Sequence, residues 1–154
     1  MVGTDQLAES GYFRAKIAQE KLIKESPVPY SIIRSTQFFE FLKRIASEAS
    51  DGDTVRLPPV MVQPIAAEDA AMTVSMVAMA APANGTVEVA GPEILRFDAF
   101  IKTGLDAYRD PRQVVADPGA QYFGTLLNDR SLVPQTPARL GKTRLADWLG
   151  QQAP

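Results

Sequence analysis

The amino-acid sequence predicts an α/β fold, in which helices alternate with short strands along one domain. Two observations carry this prediction: apolar residues recur with a helical period in several segments, and short extended runs lie between those segments. Of the 154 residues, 45% are hydrophobic and 22% are charged, which is typical of a soluble globular protein. We therefore expect a single domain over residues 1–154.

The first fifty residues predict a helix, a strand and a second helix. Residues 11–25 form the first helix, which ends at Ser26-Pro27 because proline disfavours a helical residue before it. Its expected apolar face consists of Phe13, Ile17, Leu22 and Ile23. Residues 30–35 predict a short buried strand. Residues 37–49 predict a helix whose apolar face holds Phe38, Phe41, Leu42, Ile45 and Ala49.

The later elements follow the same alternation. A turn at residues 51–53 precedes extended runs at 54–57 and 61–65. Glu68 and Asp69 open a helix over 68–80, where carboxylates oppose the positive end of the helix dipole, and no further role is expected for them. The remaining expected elements are a strand at 86–90, an amphipathic helix at 97–108, a strand at 112–116 and a closing helix at 143–150.

Two residue types are absent from the composition, and their absence excludes whole classes of functional site. The chain has no cysteine, which excludes disulfides, thiol catalysis and thiolate metal sites. It has no histidine, which excludes serine–histidine nucleophile systems and imidazole zinc sites, so no metal centre is predicted. Acid–base chemistry must therefore use aspartate, glutamate, lysine or tyrosine.

Charge and hydropathy limit the classes of partner that we expect for this chain. The net charge is −2 and no basic run is interleaved with aromatic residues, so we expect no nucleic-acid partner. The most apolar window, residues 72–83, is too short to span a bilayer, and no signal peptide is visible. We expect a cytoplasmic protein without a membrane partner.

Tyr12 and Lys16 are the residues whose spacing suggests chemistry. They stand four positions apart on the first predicted helix, so both side chains lie on one face. A free phenol has a pKa of about 10, and a nearby ammonium lowers it by favouring the phenolate. Such a pair can exchange a proton with a carbonyl oxygen in a chain that lacks histidine. The motif is short, and by itself it also fits a chance pairing on a helix surface.

A longer stretch resembles a known family. The segment GYFRAKIAQEKLIKESPVPYSIIRSTQFFEF resembles the part of atypical short-chain dehydrogenases/reductases, of the NmrA-like NAD(P)H-binding branch, that runs from the active-site helix through the sixth parallel strand. The matching positions are Tyr12, Lys16, Pro29, Arg34 and Gln37-Phe38. The segments VQPIAAEDAA, GTVEVAGPEILRFDAF and ARLGKTRLADWL resemble later parts of the same family.

The resemblance implies roles for several residues of the first segment. Tyr12 would be the catalytic proton donor or acceptor, and Lys16 would tune Tyr12 and bind the nicotinamide ribose. Ser35, Thr36 and Gln37 would face the nicotinamide of NADP or NAD, although Ser or Thr there would equally suit a helix N-cap. The aromatic residues Phe38, Phe39 and Phe41 would line a substrate pocket or fill the core. Residues 1–50 would hold the active-site helix, and residues 51–154 a small substrate-binding region.

The sequence also departs from the family pattern. The glycine-rich phosphate loop does not occur, and the serine that usually precedes the tyrosine by about a dozen residues has no counterpart, since Thr4 has the wrong spacing. The chain therefore resembles the C-terminal half of a Rossmann-like fold whose nucleotide-binding strands are absent. We expect a truncated oxidoreductase-like chain that is not catalytic alone, that acts on a small molecule when completed by a separate N-terminal half, and that need not bind a cofactor by itself. The alternative is a non-catalytic homodimeric interaction or regulatory domain.

Overall fold

Helices and strands alternate along the chain, which confirms the α/β class. The computed structural model describes residues 1–152. The helices are α1 (Gly11–Glu25), α2 (Leu42–Glu48), α3 (Ala67–Met79), α4 (Phe97–Ala107) and α5 (Leu145–Gln152). The strands are β1 (Ser31–Ser35), β2 (Ser50–Asp51), β3 (Thr54–Leu57), β4 (Met61–Val62), β5 (Gly85–Ala90), β6 (Leu95–Arg96), β7 (Gln113–Ala116) and β8 (Arg139–Leu140). Short 3₁₀ turns at Thr4–Gln6 and Phe39–Phe41 precede α1 and α2.

The sheet that organises the molecule has the strand order β1-β5-β8, and all of its pairs are parallel. Side chains alternate between the two faces of a strand. Ile33 of β1 belongs to a cluster that includes Ala70 of α3, together with Ile65 and with Val89 of β5. The next residue, Arg34, bonds to Glu20 of α1. Helices α1 and α3 therefore cover opposite faces, which gives three layers.

Two smaller sheets complete the second half of the chain. Strands β2 and β3 form an antiparallel hairpin around Gly52, whose φ of 58° suits a residue without a Cβ, and β7 joins β3 in parallel. Strands β4 and β6 form an antiparallel pair that leads directly into α4. These sheets place α4 beside α2.

A single large cluster of buried apolar side chains reaches from Leu7, before α1, to Trp148 in α5. The Phe39 ring lies 6.1 Å from Phe100 of α4 and 5.5 Å from Trp148, measured between ring centroids. A Cβ at Gly104 of α4 would overlap the side chain of Leu42, so the absence of a side chain there lets α2 and α4 approach closely. Phe39 is therefore a core residue, not a pocket residue.

Two predicted apolar faces were wrong in part. Phe13 is fully buried, but Leu22 is 71% exposed and Ile23 is 36% exposed. The predicted helix over 37–49 is shorter than expected: a 3₁₀ turn precedes α2, and this change of winding leaves Phe41 48% exposed. Helical period alone places residues on one side of a helix but does not provide the partner that buries them.

Asp69 does more than open α3. Its side chain is buried, and its Oδ2 atom accepts hydrogen bonds from the backbone N–H groups of Lys142 and Thr143, at 2.9 and 2.8 Å. The expectation that Asp69 is only a helix-start charge was therefore incomplete. Glu93 acts similarly, since its Oε2 accepts the N–H of Leu145 at the start of α5. These carboxylates thus tie the C-terminal segment to α3 and to the loop after β5.

Candidate functional site

The open edge of β1 is the feature around which the candidate site is built. The N–H of Thr36 donates to Val89 of β5 at 3.1 Å, whereas the C=O of Ser35 points the other way and accepts from the N–H of Val2 at 2.9 Å. Backbone groups of alternate residues in a strand face alternate sides. The backbone groups of Ser31 and Ile33 therefore face the open edge, where no strand among residues 1–152 pairs with them.

A groove of about 700 Å³ runs along this edge on the side of α1. Apart from Phe39, which is in the core, every residue that the sequence singled out as a catalytic, cofactor-binding or pocket residue lines this groove. These residues are Tyr12, Lys16, Ser35, Thr36, Gln37, Phe38 and Phe41. The fold thus gathers side chains from α1, from the carboxyl end of β1 and from the turn before α2. In open α/β sheets, ligands bind in the crevice outside the carboxyl ends of the strands.

Tyr12 and Lys16 lie in the first two turns of α1 and share the face that the groove exposes. The Tyr12 side chain is 44% exposed, and the Lys16 ammonium lies 5.9 Å from the centroid of its ring. The ammonium also donates a hydrogen bond to Oε1 of Gln19 at 3.3 Å. The cation therefore lies over the ring of Tyr12 and not at its hydroxyl.

A network of ions fixes α1 against β1. Arg34 is 7% exposed, and its guanidinium binds the Glu20 carboxylate through two bonds of 2.8 and 2.6 Å. It binds Asp5 through two more, of 2.6 and 2.9 Å. These bonds raise the pKa of Arg34, and they lower the pKa values of Glu20 and Asp5 by stabilising the carboxylates. Because Glu20 lies one turn beyond Lys16, the network sets the orientation of the Tyr12–Lys16 face.

The three polar residues at the carboxyl end of β1 differ in what they do. Ser35 is half-buried, and its hydroxyl donates to the C=O of Thr36 at 3.0 Å. The Thr36 hydroxyl is buried and donates to the C=O of Gln63 at 2.7 Å. Neither hydroxyl caps a helix, because the following 3₁₀ turn has Phe38 at its N-cap position and no side-chain cap bond. The N-cap alternative was therefore wrong.

Gln37 provides the buried polar group of the groove. Its side chain is 4% exposed, and its Oε1 atom has no hydrogen-bond partner among residues 1–152. Its amide nitrogen faces the sulfur of Met1 at 3.9 Å. A buried acceptor without a partner is destabilising, so this oxygen is suited to a ligand that brings an N–H or O–H donor.

Phe38 and Phe41 form an apolar wall on the other side of the groove. Their ring centroids are 5.7 Å apart, and Phe38 also packs against the cluster of Ile65 and Val89 beneath α3. Phe38 therefore serves both the core and the groove, whereas the more exposed Phe41 is free to contact a ligand.

Sequence reasoning missed a second aromatic group, which lies against Tyr12 of α1. Tyr122 and Phe123 come from the irregular segment between β7 and β8, and both line the groove. The Phe123 ring stacks on Tyr12 with centroids 5.0 Å apart and planes 14° apart. Burial raises the pKa of the Tyr122 hydroxyl far above its usual range, and a hydrogen bond from Gln37 opposes that rise only in part. The glycine that directly follows Tyr122 and Phe123 was the one local signal in the sequence for a turn here.

The opposite face of the sheet is also incomplete beside β1. A cleft of about 310 Å³ lies between β1 and α3, lined by Tyr30, Ile33, Val74 and Val77 among others. Helix α3 continues this apolar surface with side chains that are about half exposed or more, namely Met72, Val74, Met76 and Met79. The apolar surface therefore flanks the open strand on both faces.

Residues 1–152 contain no cluster of three or more acidic side chains that could hold a metal ion. None of the helices in this range has the length and apolar character needed to cross a bilayer.

No family model matches the chain, and no curated protein matches it.

Proposed function

We propose that this chain is the substrate-side part of an NAD(P)-dependent oxidoreductase of the short-chain dehydrogenase/reductase type, inactive until nucleotide-binding strands pair with β1. One observation carries the proposal: Tyr12 and Lys16 face a groove that follows the open, parallel edge of a sheet. The resemblance of residues 11–41 to the NmrA-like branch agrees with this placement.

The groove fits one end of a dinucleotide and not the other. The unpaired Gln37 Oε1 would accept an amide N–H, and Lys16 would reach a ribose hydroxyl beside Tyr12. The phosphates would find no glycine-rich turn in this sequence, so the other half must hold them. When bound, the cofactor supplies or accepts a hydride.

The chain's own contribution to the reaction is a proton transfer. Tyr12 gives its hydroxyl proton to the substrate carbonyl oxygen as that oxygen gains negative charge, or removes a proton from an alcohol in the reverse direction. The Lys16 ammonium stabilises the phenolate that remains. Arg34 holds the helix that carries both groups, and Phe41 and Phe123 keep water from the reacting carbonyl.

A chimeric chain tests the proposal. A glycine-rich nucleotide-binding half of an NmrA-like reductase is joined ahead of Met1, and NADPH binding is measured by fluorescence for the chimera and for the chain alone. We expect the chimera to bind NADPH and to oxidise it with carbonyl substrates, and the chain alone to do neither. Tight NADPH binding by the chain alone, or no binding by a folded chimera, contradicts the proposal.

Substitution of Tyr12 separates catalysis from binding in the chimera. Tyr12→Phe keeps the ring and its stack on Phe123 but removes the proton, so we expect turnover to fall by roughly 10²-fold or more with NADPH affinity unchanged. Tyr108→Phe is the matched control, because Tyr108 packs under Lys43 outside the groove. Equal turnover by Tyr12→Phe and the unmodified chimera would show that Tyr12 is not the proton donor.

The second candidate is a non-catalytic homodimer. The open edge of β1 and the exposed apolar side chains Met72, Met76 and Met79 favour it, since unpaired strand edges and apolar patches attract partners. Light scattering on the purified chain would then give twice the mass of one chain at micromolar concentration. In this case the chimera would bind no NADPH.

A further inference from the structure

Two polar side chains from distant segments meet in the wall of the groove. They are Gln37, which follows β1, and Tyr122, which lies between β7 and β8, and they are only 4% and 9% exposed. The Gln37 amide donates a hydrogen bond to the Tyr122 hydroxyl, and its Nε2 atom also faces the Met1 sulfur at 3.9 Å. The N–H groups of Gln37 thus have partners in the protein, whereas its Oε1 atom has none among residues 1–152.

Tyr122 is held in place through both its backbone and its ring. Its backbone N–H and C=O exchange hydrogen bonds of 2.9 and 3.2 Å with Thr125, and its ring meets the buried Phe97 edge to face at 5.3 Å between centroids. A hydroxyl oxygen that accepts a hydrogen bond still has its own proton to donate. Burial raises the pKa of this hydroxyl, so the proton is retained at neutral pH. The pair therefore offers a ligand one acceptor, Gln37 Oε1, and one donor, the Tyr122 O–H.

We propose that Gln37 and Tyr122 together bind a primary carboxamide, with Gln37 accepting its N–H and Tyr122 donating to its C=O. The inference rests on the proposed function, because the nicotinamide ring of the cofactor carries such a group. A planar carboxamide holds an N–H donor and a C=O acceptor side by side, which complements the pair. A ketone lacks the N–H, and a carboxylate sets a second oxygen against Oε1, so neither satisfies both residues.

Two pyridines of equal charge and similar size test the inference on the chain as it exists, without nucleotide. Nicotinamide and 3-acetylpyridine carry the same carbonyl on the same ring, and they differ in an NH₂ group against a methyl group. Binding of each is followed by NMR from the side-chain signals of Gln37 and Tyr122. Since Oε1 has already lost its water on folding, its bond to the N–H should make nicotinamide bind about 5- to 150-fold more tightly.

Variants assign the two hydrogen bonds separately. Gln37→Met keeps the length of the side chain but has no oxygen, so the two pyridines should bind equally. Tyr122→Phe keeps the ring against Phe97 but removes the donor to the carbonyl, so both pyridines should lose about 2- to 10-fold in affinity at an unchanged ratio. Gln113→Met on the surface of β7 and Tyr108→Phe outside the groove are the matched controls, and neither should change either affinity.

Four results would overturn the inference. These are no binding of nicotinamide by the original chain up to its solubility, equal binding of the two pyridines, an unchanged ratio in folded Gln37→Met, or unchanged affinities in folded Tyr122→Phe. The first two need no variant, so the test holds even if a variant fails to fold.

Failure of this inference and failure of the proposed function are distinguishable. NADPH binding by the chimera is measured without either pyridine, so a chimera that binds NADPH keeps the oxidoreductase even when the chain shows no preference for the carboxamide. Conversely, a preference that depends on Gln37 beside a folded chimera that binds no NADPH would reject the oxidoreductase and keep the carboxamide site.

Discussion

Replacing Arg34 by methionine tests whether the ion network holds α1 on the sheet. The side chains of Arg34 and Glu20 are only 9% and 11% exposed, so the substitution leaves a carboxylate with little solvent and no guanidinium. Breaking a buried pair by removing one partner costs about 3–5 kcal/mol. Loss of the bond to Asp5 adds little to this free-energy cost, because the Asp5 carboxylate is 67% exposed and water replaces the lost partner.

The expected loss is large enough to measure directly. For a domain of this length, 3–5 kcal/mol lowers Tm by roughly 6–20 °C. Urea unfolding followed by circular dichroism at pH 7 gives the free energy of unfolding for both chains. Arg44→Met is the matched control, since Arg44 pairs with Glu48 on the surface of α2, with side chains 70% and 50% exposed. Loss of that pair should cost less than about 0.5 kcal/mol.

The pH dependence of the free energy of unfolding gives a second, independent test of the network. Bonding to Arg34 holds the pKa of Glu20 below its ordinary value of 4.5, so the contribution of the pair is complete above that pH and is lost as pH falls through the lowered pKa. In Arg34→Met the buried Glu20 keeps only the Lys24 ammonium, at 3.5 Å, so its pKa is higher than in the original chain and it takes up a proton at a higher pH. The difference in stability between the two chains should therefore shrink between pH 7 and pH 4. A loss at pH 7 no larger than that of Arg44→Met, or a difference independent of pH, would refute the role given to this network.

Two substitutions test how the remaining layers are held. Gly104→Ala should destabilise the chain by about 1–3 kcal/mol in urea unfolding, although alanine favours helices, because its Cβ would overlap Leu42; a stabilised variant would contradict the close approach of α2 and α4. Asp69→Ala should cost about 1–3 kcal/mol and speed hydrogen exchange at the N–H groups of Lys142 and Thr143, whereas unchanged exchange there would show that Asp69 does not hold the C-terminal segment.

Local pattern was enough to predict most elements. Helix α1 spans the predicted residues 11–25 because periodic apolar residues and Ser26-Pro27 define it without help from the rest of the chain. Strand β5 begins one residue earlier than expected, at Gly85, and α4 ends one residue earlier, at Ala107. The turn signals on either side of these elements are local, so no tertiary contact was needed to place them.

Contacts between distant segments could not be predicted in the same way. Phe123 lies in a stretch with no hydrophobic period, so nothing in the sequence indicated that it stacks on Tyr12. Arg34 was noted only as a position in a pattern, whereas its importance comes from two carboxylates, Glu20 and Asp5, that local pattern does not connect. The Tyr12–Lys16 pair was found because its geometry is local to one helix. The groove in front of the pair depends on residues from three further segments.

The open edge of β1 and the apolar surfaces on both of its faces lie together at one place in the molecule. This arrangement restricts the kind of partner that can cover them. Among residues 1–152 the middle layer ends at β1, where no strand pairs with the backbone groups of Ser31 and Ile33. The groove under α1 and the cleft under α3 flank that same strand on opposite faces. A single extended peptide would satisfy the backbone of β1 but would leave both apolar faces exposed, which is unfavourable. A partner that adds a strand together with a helix on each face would bury all three. That requirement is the reason for preferring a nucleotide-binding α/β half over a short peptide ligand at this edge.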